Sequence, residues 1–113
     1  MSGYEPIQED MTLSRAADWT HRYEKAKTDP VFPAGTTARV EITRDDKMTS
    51  PVLETWDAES VTGTYIEFWV QSNDTDQIPA RYHYRLMVRY PPAAPITDTY
   101  DFCWYRGNVK RKD

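Results

Sequence analysis

Ile78-Pro79-Ala80-Arg81-Tyr82-His83-Tyr84-Arg85-Leu86-Met87-Val88-Arg89-Tyr90 is a stretch written in twos. Tyr82, Tyr84, Leu86 and Val88 fall on one side of an extended chain, and His83, Arg85, Met87 and Arg89 fall on the other, because successive side chains of a pleated strand alternate. Pro79 ahead of it and Pro91-Pro92 behind it bound the strand, since proline donates no ladder hydrogen bond. One apolar and one polar face fit a central strand of an antiparallel sheet.

The same alternation recurs on both sides of this strand. Met11 and Leu13, then Trp19, His21 and Tyr23, predict two early strands that could form a hairpin. Ala38, Val40 and Ile42 predict another, as do residues 52–56, and Ile66, Phe68 and Val70 share a face opposite Glu67 and Trp69. Tyr100, Phe102 and Trp104 alternate with Asp101, Cys103 and Tyr105 in a last strand over 99–109. Ala34-Gly35-Thr36 supplies a corner, the charged residues 44–51 a surface loop, and residues 72–77 one short helical turn. Short strands separated by frequent turn signals predict an all-β fold, a single antiparallel β-sandwich of about seven strands. Residues 1–10 are expected to form an extended acidic N-terminal arm, 11–109 the sandwich, and 110–113 an exposed basic tail.

Composition narrows the function. A chain of 113 residues fits one domain, and a net charge of -4 gives no basic footprint for nucleic acid or anionic membrane. Cys103 is the single cysteine, so no intrachain disulfide can form, in keeping with a reducing cytosol. The N-terminus reads as neither a secretory signal nor a membrane span.

Chemistry is sparse. Cys103, His21 and His83 are the available nucleophile and bases, but each lies in an alternating strand, where structural roles are commoner. Their spacing offers no local metal chelate. Asn73, Asp74 and Asp76 resemble the start of a calcium loop without its glycine or distal glutamate, and read better as helix-capping residues. Glu54, Asp57 and Glu59 read as a polar surface rather than as a glycosidase pair. No catalytic, cofactor or metal residue is therefore assigned, and no cofactor is expected. Trp19, Trp56, Trp69 and Trp104 are spread over four strands and suit core or interface anchors. Arg85, Arg89, Trp69, Lys110 and Arg111 are the candidate partner contacts.

Four segments in order, residues 13–19 (Leu13-Ser14-Arg15-Ala16-Ala17-Asp18-Trp19), 32–36 (Phe32-Pro33-Ala34-Gly35-Thr36), 72–80 (Ser72-Asn73-Asp74-Thr75-Asp76-Gln77-Ile78-Pro79-Ala80) and Tyr84-Arg85-Leu86, resemble the LtfC-like small β-sandwich proteins of tailed bacteriophages infecting actinobacteria. The layout is more distantly similar to the N-terminal sandwich of phage baseplate upper proteins. Where family members often carry Arg-Gly-Asp, this chain has Arg15-Ala16-Ala17-Asp18. The resemblance implies a virion structural protein without enzymatic activity, assembled in the host cytoplasm. Its expected partners are other virion proteins, in many copies per particle, with homo-oligomers possible and neither nucleic acid nor membrane involved. A capsid decoration, minor capsid or head-to-tail role is favoured over the tail or baseplate. The alternative is a carbohydrate-binding module for the host surface, with Trp69 or Trp56 as stacking platform.

Overall fold

The computed structural model describes residues 6–47, 49–95 and 97–112. In chain order the elements are β1 (Ile7–Gln8), β2 (Met11–Leu13), β3 (Trp19–Glu24), β4 (Thr37–Thr43), β5 (Val52–Asp57), β6 (Ser60–Val61), β7 (Tyr65–Val70), α1 (Ser72–Thr75), β8 (His83–Tyr90) and β9 (Tyr100–Arg111). They form two facing sheets, one ordered β1-β9-β8-β4-β5 with β2 also on β9, the other β3-β7-β6. The all-β sandwich and the short helical turn between β7 and β8 are as expected.

β8 is indeed interior to its sheet, antiparallel to β4 on one side and β9 on the other. Its Tyr84, Leu86 and Val88 are buried, while His83, Arg85, Met87 and Arg89 lie on the outer face. The regular strand starts at His83; upstream of it the pairing to β9 is irregular, with the Arg81 N–H donating to Val109 O (3.0 Å) and the Val109 N–H to Tyr82 O (2.7 Å). Pro79 has no N–H to give, and Arg81 adopts a φ of 74°, which turns the chain. Against this layer pack Trp19, Tyr23, Ile66, Phe68 and Val70 of the small sheet, with Phe32 and Ile78 closing the core from the loops. Gly35 at φ 90° with Thr36 N–H donating to Pro33 O (3.2 Å) fits a type II turn, the corner expected before β4. The charged loop after β4 is knit by Asp45, whose carboxylate accepts from the Lys47 amide (2.9 Å) and the Ser50 hydroxyl.

Three expectations need correction. β2 and β3 make no hairpin: β2 pairs in parallel with the end of β9, and β3 pairs with β7. The segment expected as an arm up to residue 10 enters the sheet from Ile7, where β1 runs parallel to Tyr105 and Arg106; residues 1–5 lie outside those described. The basic tail is not uniformly exposed. β9 extends to Arg111, whose side chain is 10% exposed and donates to the carbonyls of Thr75 and Ile78, both at 2.9 Å.

The reason for that third departure is a bulge. Leu86 faces Tyr105 but Met87 faces Cys103, so Trp104 is an extra residue in β9. Phe102 and Trp104 are buried at even positions, and beyond the bulge Val109 is buried at an odd one. Arg111 shares the parity of Val109 and is carried inward with it.

Ala16 sits at φ 60°, in the left-handed region that L-residues enter at a cost. It is placed there because its amide donates to both carboxylate oxygens of Asp76, at 3.0 and 3.2 Å. Replacing it with glycine removes the Cβ penalty but loosens the unfolded chain. Ala16→Gly is expected to stabilise by about 0.5–1 kcal/mol, visible as a higher urea midpoint at unchanged slope.

Candidate partner-binding faces

The outer face of the small sheet is built around Trp69. β7 turns Ile66, Phe68 and Val70 inward, so Trp69 must point out, and it is 58% exposed. Its indole is not loose. Nε1–H donates to Asp18 Oδ2 at 2.8 Å, while Asp18 Oδ1 accepts the backbone N–H of Ser72, also at 2.8 Å. Asp18 therefore fixes the ring and satisfies a first-turn amide of α1 at once, a service that the residues around α1 do not provide: its N-cap Gln71 makes no side-chain cap bond. Lower on the same face, Arg22 bonds Glu67 (3.0 and 3.2 Å) and lies over the Tyr65 ring at 3.9 Å. The arrangement is a rigid aromatic-and-charge surface.

The outer face of the large sheet carries the arginine row, and most of it is internally committed. Arg85 Nε donates to Glu41 Oε1 at 2.6 Å and Arg39 Nε to Oε2 at 2.8 Å, with the Arg85 side chain 13% exposed. Arg89 makes a two-point pair with Asp101 at 2.9 and 3.1 Å, in the open. Burial works against ionising Glu41, but its hydrogen bonds from Arg85 and Arg39 outweigh it and hold the carboxyl below 4.5. A depressed carboxylate adds stability that is complete above its unfolded pKa and is lost as pH falls through the folded one. Stability should thus begin to fall once the pH drops below about 4.5, and Glu41→Gln should flatten that acid limb in pH-dependent urea titrations.

Among the other candidates, Lys110 is exposed and pairs with Asp10 at 2.9 Å. Arg111, which also reaches Asp76 at 3.5 Å, anchors α1 instead of presenting charge outward. Trp19, Trp56 and Trp104 are core residues. Cys103 lies partly buried on β9, its thiol donating to Tyr105 O at 3.2 Å, and burial pushes that thiol up in pKa. Cys103 faces Met87, four residues or about 13 Å along β8 from His83, and His21 belongs to the other sheet, so the three do not converge. Asp76 accepts the Ala16 amide and pairs with the Arg111 guanidinium. Among the described residues no group of three His, Cys, Asp or Glu side chains is placed to hold a metal, and no helix is long and apolar enough to cross a membrane. Sequence reasoning missed Asp18 and Glu41, because a carboxylate's partner on another strand leaves no local trace.

One similar solved chain comes from "Parallel homodimer structures of the extracellular domains of the voltage-gated sodium channel beta4 subunit explain its role in cell-cell adhesion", at 6% identity and a TM-score of 0.37, covering 100% of this chain and 99% of that one. At that score the likeness carries no argument. No curated protein matches the sequence. The family model for the LtfC-like β-sandwich domain matches residues 5–112. The chain belongs to the LtfC-like β-sandwich family, a membership that associates it with phages.

Proposed function

We propose that this chain is a non-enzymatic structural protein of a phage virion that binds other virion proteins, with a capsid-decoration or head-to-tail place favoured over the tail or baseplate. The observation that carries the binding role is Trp69, a large aromatic side chain held outward by a hydrogen bond to Asp18. Orienting an exposed indole in advance lowers the entropy cost of burying it against a partner, which is how interface anchors work. The phage setting rests on the family. Negative-stain imaging of particles with an antibody to this chain tests it: labelling of the head or neck is the expected result, and no labelling on any part of the particle overturns it.

The same face supports a second reading as a sugar platform, because Trp69 and Tyr65 share it with the polar Arg22–Glu67 pair. Binding of a cell-wall glycan with a change in tryptophan fluorescence, abolished in Trp69→Ala, would favour that reading over the first.

A further inference from the structure

β3 is the longest regular unpaired sheet edge among the described residues, since the open part of β9 ahead of β1 holds only Tyr100–Cys103 in regular register. β1 and β6 end their sheets with two residues each, too short to template a strand. β5 is interrupted: Thr43 faces Val52 and Ile42 faces Glu54, so Leu53 is bulged, and Pro51 precedes it. β3 has six residues in unbroken register with β7 and no proline. Lys25 N–H donates to Thr64 O at 2.9 Å, so by antiparallel alternation Tyr23, His21 and Trp19 spend their backbone groups on β7. The N–H and C=O of Thr20, Arg22 and Glu24 point the other way, off the edge. The Arg22 side chain does not guard them, since it reaches across to Glu67 and Tyr65 of β7.

A groove of about 410 Å³ lies along this edge, between β3 and the segment leading into β2, lined by Glu9, Asp10, Met11, Trp19, His21 and Tyr23. Its charged rim is acidic. Asp10 is matched by Lys110, whereas Glu9 is half exposed and, among the described residues, its carboxylate pairs with His21 at 3.4 Å. Glu24 extends the acidic character at the far end of β3.

We propose that this groove takes an extended segment of a partner protein, strand-paired to β3 through Thr20, Arg22 and Glu24 and carrying a basic side chain opposite Glu9. This rests on the reading that the chain binds other proteins, and it names where one of them docks. Main-chain hydrogen bonds give such strand addition its affinity, and the Glu9 carboxylate gives it a charge preference.

The probe is a capped heptapeptide alternating valine with lysine and threonine, compared with the same peptide carrying glutamate for lysine. With the basic peptide, amide exchange should slow at Thr20, Arg22 and Glu24, and the acidic peptide should bind about tenfold more weakly. Thr20→Pro removes an outward N–H without touching the β3–β7 ladder and should abolish binding in a folded protein. Glu9→Lys should reverse the charge preference, and it decides the matter alone if the proline variant does not fold. Undiminished binding to folded Thr20→Pro, equal binding of the two peptides, or protection at β5 overturns the proposal. So does a concentration-dependent dimer that protects these same amides without peptide, since a second copy would then be the occupant. Particle labelling retained alongside any of these results removes the groove proposal and leaves the virion role standing.

Discussion

Gly107→Ala should destabilise the protein by about 2–3 kcal/mol and loosen the whole segment from Ile7 to Leu13, although it adds a single methyl group. A Cβ at Gly107 would lie 2.2 Å from the carbonyl oxygen of Glu9 and 2.7 Å from its carbonyl carbon, and both are backbone atoms that cannot rotate aside. The Glu9 peptide is pinned against Gly107 from several sides. Its N–H donates to Arg106 O at 3.0 Å, its carbonyl accepts from the Tyr84 hydroxyl at 2.6 Å, and the next residue's carboxylate accepts the Asn108 amide at 3.1 Å. Tyr84 is itself buried, and burial pushes its phenol well above the ordinary value, so it stays a neutral donor. Moving Glu9 to make room would leave the Tyr84 hydroxyl and the Arg106 carbonyl short of partners. Met11 and Leu13, both almost fully buried, would be drawn out of the core with it. A lowered urea midpoint together with faster amide exchange over 7–13 is the expected signature. Unchanged exchange there would show that the β1–β2 segment does not depend on the contact.

Local pattern made much of this fold legible and long-range pairing made the rest invisible. β4, β7 and β8 alternate so regularly that their inward residues, Val40, Ile42, Ile66, Phe68, Leu86 and Val88, can be named from parity alone, and all are buried. The alternation of β2 and β3 leaves a hairpin between them open, and neighbours in sequence often pair. What settles their partners is the far end of the chain, which supplies β9 for β2 and leaves β3 to β7. β9 misleads for a second reason. A bulge is one unpaired residue, and nothing around Trp104 announces it, yet it reverses which side chains beyond it are buried and so turns Arg111 from tail into anchor. Gly107 was the available clue: a lone glycine inside a strand pattern signals close backbone approach. For the binding faces, parity showed that Trp69 could point outward. It could not show that Asp18, fifty-one residues earlier, holds the ring, because the indole–carboxylate contact has no local spacing to betray it.

Phe68 and Trp69 are adjacent on β7, and their replacement by alanine should have opposite consequences. Phe68 is fully buried on the inner face of the small sheet, with its ring 5.8 Å from that of Trp19 and 6.1 Å from that of Tyr23. Truncating it leaves a cavity that stiff strands on both sides cannot collapse to fill, so Phe68→Ala should cost about 3–5 kcal/mol, enough to unfold a marginal domain of this size. Trp69→Ala removes a side chain that is already mostly in water and one hydrogen bond to Asp18, so its stability cost should stay near 1 kcal/mol, about the value of such a bond. In binding the order inverts. An oriented aromatic at the centre of a buried contact is worth about 2 kcal/mol or more, so Trp69→Ala should weaken attachment to the proposed virion partner roughly thirtyfold while leaving a folded protein. The measurement is incorporation into particles assembled with each variant, beside the urea midpoint of the isolated chain. If Trp69→Ala enters particles as well as the parent does, the small-sheet face is not the attachment surface, and the β3 groove is the next place to look.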